Sequence, residues 1–499
     1  MGMLEPFMLG LTHLLIPANF FFLIIGILSG LTLGVIPGLG GLVGLSIFLP
    51  FSFTLDPFQS FAFMIGLTSI TCTSDTIPAV LISVPGTAAS MATILDGYPM
   101  AKRGEAGRAL GAAYMASMLG GIVGAVVLFF SIPIIRTIIF LFGAPELFML
   151  TILGLSMVGA ISGNEPIKGL LVGGFGLFLG MVGLDPRMGV ERWTFGQLYL
   201  WDGLPLIPIG LGIFALPEIG DLVIRGTKIA EVPKEVMKGA SIGVRDVFKN
   251  YFLMIRSAII GTWIGAIPGL GGAVADWVSY GHALQTEKGA TNTFGKGDVR
   301  GVIASETSNN AKEGGALIPT LAFGVPGSAS MALILGGFMI QGITPGPDML
   351  SKHLDLTFLM VWSIIFANIM GAGICLVLTK WIAKLCFINV HRLMPPILVA
   401  VFLASFQMKR SLGDLIVLLS VGSLGWLMKR FDWPRPPLIL GFILSRIAEN
   451  YFFISLDRYG PEFFLRPIVL IISVIILVTL YYGLRQKKTE DAIKKKLLK

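Results

Sequence analysis

The stretch Gly34-Val35-Ile36-Pro37-Gly38-Leu39-Gly40-Gly41 decides the reading of this chain, because it occurs twice. It returns as Gly265-Ala266-Ile267-Pro268-Gly269-Leu270-Gly271-Gly272, and a further glycine precedes each copy by four residues, Gly30 and Gly261. Both copies fall where an apolar run should be crossing a membrane. One proline and several glycines remove a backbone donor and most of the side chains that stiffen a helix, so the chain is expected to open or bend there. Lipid cannot satisfy the backbone groups this frees, which must be buried in protein or face a watery cavity. Two interrupted segments at corresponding places of two halves point to a transporter's binding site.

Composition supports a membrane setting. Of 499 residues, 54% are hydrophobic, 13% are charged and 63 are glycine, which excludes an ordinary soluble domain and a disordered chain. Apolar runs of about 20 residues recur, as a hydrocarbon core roughly 30 Å thick requires of helices, whereas an outer-membrane barrel would read as short alternating segments. Cys72, Cys375 and Cys386 have neither disulfide-framework nor metal spacing and read as packing residues. The first apolar run, Phe20 to Ile36, has no basic segment before it, so no cleaved signal peptide is expected.

The net charge of +8 speaks to topology, not to nucleic acid. No Lys or Arg precedes Lys102. The polar segment from Pro217 to Asn250 holds Arg225, Lys228, Lys234, Lys238, Arg245 and Lys249, and the tail from Arg485 to Lys499 is strongly basic. The positive-inside rule therefore predicts a cytoplasmic linker, a cytoplasmic C-terminus and an N-terminus outside.

Spans are predicted near 20–36, 58–72, 109–131, 145–162, 166–184 and 198–216, then 251–267, 316–340, 354–379, 395–408, 411–428 and 434–456, with a last run at 466–484. Which of them are re-entrant is left open. The duplication extends beyond the opening stretch: Ile77-Pro78 to Val84-Pro85-Gly86 matches Ile318-Pro319 to Val325-Pro326-Gly327, and Ser90 to Leu95 matches Ser330 to Leu335. Pro208 to Gly212 more weakly matches Pro437 to Gly441. The expected organisation is a first membrane repeat over 1–219, a cytoplasmic linker over 220–250, a second repeat over 251–456, and a final transmembrane helix with its basic tail over 457–499. If the last run crosses from outside to inside, each repeat crosses an odd number of times and the two are inverted, which lets a central site face either side.

Each candidate has a plainer reading. Pro37, Gly38, Gly40 and Gly41, with Pro268, Gly269 and Gly271, could serve close helix packing, but proline with clustered glycine is more than packing needs. Gly38-x-Gly40-x-x-x-Gly44 looks like a loose dinucleotide fingerprint, yet no strand precedes it and the second copy lacks it. Pro85, Gly86, Thr87 and Ser90, and Pro326, Gly327 and Ser328, are expected at hairpin tips or broken helices, where free N–H groups and a positive helix end suit an anion and Thr87 or Ser328 could cap the restart. A simple proline kink is the alternative. Asp75, Asp96, Asp276, Glu306 and Glu313 lie near these breaks. At mid-membrane each would cost on the order of 3 kcal/mol, so a buried one usually marks a substrate, ion or proton path. Asp75 and Glu306 are the coupling-ion candidates; an interfacial place suits Asp96 better. Ser305 to Asn310, with Asn309 and Asn310 as possible binding amides, is the most polar patch and is otherwise a helix cap. No zinc-protease, nucleophile-elbow or Walker signature occurs, and His13, His282, His353 and His391 are scattered, so neither an enzyme nor a cofactor is expected.

Taken together, Pro37 to Gly41, Val84 to Thr87, Leu95 to Met100 with Gly104 to Gly107, Asn309-Asn310 with Gly314 to Pro319, and Gly324 to Ser328 with Pro345 to Pro347 resemble the large membrane subunit of tripartite tricarboxylate transporters, the TctA family. The resemblance covers roughly residues 18 to 450. It implies an inner-membrane permease that works with a small membrane subunit and a periplasmic solute-binding protein, importing a tricarboxylate, dicarboxylate or related acid with a Na⁺ or H⁺ gradient. Where many members have Tyr-Gly-Gly-Ser before the first Pro-Gly, this chain has Thr73-Ser74-Asp75-Thr76, which leaves the substrate open. The expected fold is an all-α polytopic membrane protein of two inverted repeats with broken or re-entrant helices near mid-membrane, plus an extra C-terminal helix. An anion channel and a carrier that needs no binding protein are the alternatives, and homo-oligomerisation is left open.

Overall fold

The computed structural model describes residues 3–36, 39–87, 89–139, 141–161, 166–185, 187–225, 237–268, 271–387 and 390–481. The chain folds into helices α1 (Leu4–Leu15), α2 (Pro17–Val35), α3 (Gly40–Phe48), α4 (Pro57–Ser74), α5 (Thr76–Ile82), α6 (Met91–Lys102), α7 (Ala106–Ile139), α8 (Ala144–Ile161) and α9 (Pro166–Gly180). A two-stranded hairpin, β1 (Gly183–Leu184) and β2 (Glu191–Arg192), precedes α10 (Leu206–Gly210) and α11 (Leu216–Arg225), which a π turn joins. Then follow α12 (Ala240–Lys249), α13 (Tyr251–Gly265), α14 (Gly271–Thr286), α15 (Ala290–Thr293), α16 (Val299–Phe323), α17 (Ala329–Ile340), α18 (Leu354–Ile382), α19 (Val390–Phe406), α20 (Leu412–Arg430) and α21 (Pro436–Tyr459). A last apolar helix, α22 (Pro467–Tyr481), ends the described residues.

Among the described residues, six helical stretches are long and apolar enough to cross a membrane: Pro17–Val35, Pro57–Ile82, Ala106–Ile139, Leu354–Leu385, Leu412–Arg430 and Pro436–Leu465. This is an all-α membrane protein, with one short hairpin among the described residues. Local chemistry sets the helix ends. Asp56 accepts from Gln59 N ahead of Pro57, Asp298 caps α16, and Ser411 and Asp414 form a capping box on α20.

Most predicted spans agree with a helix to within a few residues; α7 continues to Ile139, past the run expected to end at 131, and two spans differ in kind. The run at 198–216 opens with a single 3-10 turn at Leu198–Leu200 and becomes α-helix only at Leu206, because the loop after the hairpin occupies the residues between. The run at 316–340 is two helices parted at Gly324–Ser328, and the first of them starts at Val299. Ser305 to Asn310 therefore lie inside α16 and are not its cap; a helix can carry so polar a stretch at depth because neighbouring helices satisfy it. In the expected linker, Ala240–Lys249 is a helix docked against α7, while 226–236 and the basic tail lie outside the described residues.

The centre is built from α4 and α16, and glycine lets their neighbours close in. A Cβ on Gly30 would strike the Leu67 carbonyl, and one on Gly261 would strike that of Ser308, so α2 meets α4 as α13 meets α16. The partnering recurs elsewhere: α7 packs on α16 as α18 packs on α4, α1 on α18 as α12 on α7, and α9 on α21 as α20 on the α10–α11 segment. The weak Pro208/Pro437 match belongs to this pattern, for Gly212 abuts the Leu418 carbonyl and Gly441 that of Gly173. α22 stands outside it, packed through Val469, Ile472 and Ile476 on Met149 of α8, with Arg466 paired to Glu146.

The α7–α16 seam supplies a test. Gly124 faces the Ala311 carbonyl and Gly314. Gly124→Leu should destabilise the protein by about 1–3 kcal/mol or more, since backbone cannot step aside as a side chain can. Thermal unfolding in detergent should show a lowered melting temperature. Gly174→Leu, where an added Cβ meets nothing within 4 Å, should leave it unchanged.

Candidate functional site

At the first break α2 ends at Val35, and Gly40, with φ +44°, opens α3. Pro37 and Gly38 lie outside the described residues. α5 stops at Ser83, which takes the left-handed conformation, and Pro85 and Gly86 lead to α6 without helical structure. Gly86, in the second of these stretches, packs against the end of α2 and against Asp75, the joint between α4 and α5. A Cβ on Gly86 would lie 2.6 Å from the Asp75 Cβ and 2.7 Å from the Gly34 carbonyl oxygen, so no larger residue fits. The Thr87 hydroxyl donates to Asp75 Oδ2 and accepts from Ala89 N at 3.3 Å; Ser90 Oγ donates to the Thr87 carbonyl at 3.1 Å. Asp75 is fully buried, and its Oδ1 has no hydrogen-bond partner. A Cβ on Gly40 would stand 3.1 Å from Thr87 Cγ2, while Gly41 packs on Thr71.

The second break repeats the backbone. α13 ends at Gly265, Pro268 follows in a turn, and Gly271, with φ +63°, begins α14; Gly269 lies outside the described residues. α16 stops at Gly324, φ +65°, and Pro326 and Gly327 lead to Ser328, whose Oγ accepts from Met331 N at 3.3 Å. A Cβ on Gly327 would lie 2.6 Å from both the Gly265 carbonyl oxygen and the Ala316 Cα. Ala316 thus stands where the first break has Asp75. Of the two expected caps, Ser328 caps its helix and Thr87 does not, because α6 begins only at Met91 and Ser90 occupies the cap position.

Between the breaks, the polar face of α16 is stitched to its neighbours. Asn309 Nδ2 donates to the Cys72 carbonyl at 3.0 Å, and Asn310 Nδ2 to Thr73 Oγ1 at 2.9 Å and Asn368 Oδ1 at 2.6 Å, tying α4 and α18 to α16. Glu306, fully buried, accepts from Thr93 Oγ1 at 2.5 Å and Ser117 Oγ at 3.1 Å. Asp96 is buried midway along α6, where the Tyr280 hydroxyl and the Gly297 and Asp298 amides all donate to it at 2.8 Å.

Sequence reasoning missed Lys312. No lysine lies within the Pro-Gly elements, so hydroxyls, amides and N–H groups alone were expected to face an anion; the fold brings a buried ammonium beside them. Lys312 Nζ pairs with Glu313 Oε1 at 3.0 Å, donates to Asn309 O at 2.7 Å and Oδ1 at 2.8 Å, and lies 3.3 Å from Cys72 Sγ. Cys72 accordingly sits in a polar centre, not in apolar packing. Lys312 is also within electrostatic reach of Asp75 and Asp276. The signal was present in Asn309 to Gly315, where a Lys-Glu pair precedes an apolar run. Among the described residues no three His, Cys, Asp or Glu side chains gather as metal ligands. One buried ammonium faces the buried acids Asp75, Asp276, Glu306 and Glu313, so an anion can approach only with added positive charge.

The sequence matches the family described as "Tripartite tricarboxylate transporter TctA family" over residues 20–440. It is similar to an Agrobacterium vitis protein described as "Uncharacterized 52.8 kDa protein in TAR-I ttuC' 3'region", 32% identical over 451 residues, which are 90% of this chain and 89% of that one. Another from Agrobacterium vitis, "Uncharacterized protein in TAR-II ttuC' 3'region", is 31% identical over 191 residues, 38% of this chain and 78% of its own. No solved structure matches. Both breaks and the polar seam between them fall inside the matched residues, and the chain belongs to the tripartite tricarboxylate transporter TctA family.

Proposed function

We propose that this chain is the large membrane subunit of a secondary active transporter that imports an organic carboxylate with a Na⁺ or H⁺ gradient. It sits in a prokaryotic inner membrane, takes substrate from a periplasmic solute-binding protein and works with a small membrane subunit. The observation that carries this reading is the matched pair of breaks, one with Asp75 against Gly34 and Gly86, the other with Ala316 against Gly265 and Gly327. The recurring helix partners and the Lys/Arg asymmetry support two inverted repeats about this centre.

The chemistry follows from the groups present. The first turns of α3 and α14, opened by Gly40 and Gly271, present N–H groups that suit a carboxylate. Thr87, Ser90, Ser328, Asn309 and Asn310 supply further polar groups around the same centre, with Pro37, Gly38, Gly41, Pro85, Gly86, Pro268, Gly269, Pro326 and Gly327 shaping its backbone. Asp75, through its unpartnered Oδ1, and Glu306 are the coupling-ion groups. A cation that neutralises Asp75 lowers the cost of bringing an anion into the same low-dielectric space, and this couples the two fluxes.

Initial uptake of labelled carboxylate, measured against Na⁺ at fixed pH and against pH at fixed Na⁺, identifies the ion. Asp75→Asn and Glu306→Gln should weaken the dependence on it at least about tenfold, the worth of one charge-assisted contact. Thr87→Val should act in the same direction because its hydroxyl serves Asp75, while Ser328→Ala should raise the substrate concentration needed and cost about 1 kcal/mol of stability through its lost cap. Wild-type dependence in all four variants would remove these residues from the site. Labelled substrate should also show counterflow in proteoliposomes, which conductance steps in a planar bilayer would contradict.

Orientation is tested separately. Ser241→Cys, on exposed α12, should resist an impermeant thiol reagent applied to intact cells, and Glu5→Cys should react. Labelling of Ser241→Cys from outside would overturn the inverted arrangement.

A further inference from the structure

We infer that Asp276, with Ser308, is a second cation-holding site, distinct from Asp75, and that its ligand is a monovalent cation, either a proton or Na⁺. The inference rests on the transport reading only for its consequence, not for the site itself. Among the described residues nine carboxylates are buried. Four face a cation at 2.6–3.0 Å: Glu146 with Arg466, Asp246 with Arg108, Glu313 with Lys312 and Glu449 with Arg192. Three more, Asp96, Glu306 and Asp414, accept hydrogen bonds on both oxygens. Asp75 and Asp276 are the two that remain. Each has one oxygen bonded to a hydroxyl, from Thr87 or Ser308, one oxygen with no partner, and no Lys or Arg at ion-pair distance.

Asp276 is 1% exposed and lies in the second turn of α14, the helix that restarts at Gly271 after the second Pro-Gly stretch. Ser308 Oγ reaches its Oδ1 at 2.7 Å but also the Ser305 carbonyl at 3.0 Å, and one hydroxyl proton can serve only one of them. A packing role is therefore a poor account of an aspartate here, since a serine or asparagine would meet Ser308 without a charge. A carboxylate left with an unsatisfied oxygen in such surroundings is costly unless a cation or a proton takes it. The charged groups that reach it are Lys312 and Glu306 on α16 and Asp75 at the α4–α5 joint. Lys312 is engaged with Glu313; on α6, Asp96 is engaged with Tyr280 one turn along α14; on α13, Arg256 pairs with Glu287 beyond the end of α14. Among the described residues no Lys or Arg lies at ion-pair distance from Asp276, and the one within longer reach, Lys312, is already paired. With Asp75 in the same condition, an entering carboxylate would require two bound cations, and cation dependence would be cooperative.

The wild-type chain in nanodiscs tests the site directly. A hydrophobic carbodiimide adds to protonated buried carboxyl groups, and peptide mass spectrometry reads its attachment at Asp276. Labelling should fall as Na⁺ rises at fixed pH if the ligand is Na⁺, or fall only as pH rises in Na⁺-free buffer if it is a proton. A level at Asp276 that neither titration changes, including none at all, overturns the inference. In uptake, Asp276→Asn should convert a sigmoidal cation dependence into a hyperbolic one, and wild-type sigmoidicity in that variant equally overturns it. Should Asp276→Asn fail to reach the membrane, the labelling of the wild-type chain decides. Should the wild-type chain move no carboxylate, the transport reading fails while the labelling still decides whether Asp276 holds a cation.

Discussion

Backbone amides that leave a helix in the interior of a protein need partners around them, and this constraint governs the centre of the molecule. The chain breaks its helices at the two Pro-Gly-Leu-Gly-Gly stretches and again at Pro85-Gly86 and Pro326-Gly327. It covers each break with the other from the same half, Gly86 against Gly34 and Gly327 against Gly265. Each approach brings backbone against backbone, which only a residue without a Cβ allows. The glycines are therefore a consequence of burying open backbone, and the same burial brings the Asp75 carboxylate to the first break.

Holding the breaks in register falls to α4 and α16. Their neighbours approach through Gly30, Gly261, Gly120 and Gly124, all set against carbonyl oxygens. In lipid, where apolar surface gains little from meeting other apolar surface, close contact and hydrogen bonds supply the cohesion. Asn309, Asn310 and Asn368 provide those bonds along one seam. A polar stretch that would be unstable alone is in this way stable inside α16, and it carries Glu306, Lys312 and Glu313 to the centre.

The two halves share a backbone and divide the chemistry. Counted at the separation that relates Gly86 to Gly327, Asp75 corresponds to Ala316, Thr71 to Lys312 and Cys72 to Glu313. One half brings an acid to its break, and the other brings a lysine already neutralised by the next residue. Repetition of the main chain builds the two breaks, and the loss of repetition among side chains makes the charge at each one different.

The sequence by itself determined the membrane class, most helices and the duplication, because hydropathy and the Pro-Gly punctuation are local properties that no distant contact can overrule. It also marked Asp75, Thr87, Gly86 and Gly327 through their place beside the breaks. What it misjudged depended on neighbours far away in the chain. Ser305 to Asn310 read as a cap because their partners, on α4, α6, α7, α14 and α18, are remote in sequence. Lys312 did not stand out, and Asp276 was not separated from the other acids near the breaks, because burial and the absence of a partner are properties of the assembled helices. Whether a charged side chain is solvated, paired or left with a bare oxygen is decided only when several helices close around it, and in this protein that decision separates Asp75 and Asp276 from the other buried acids.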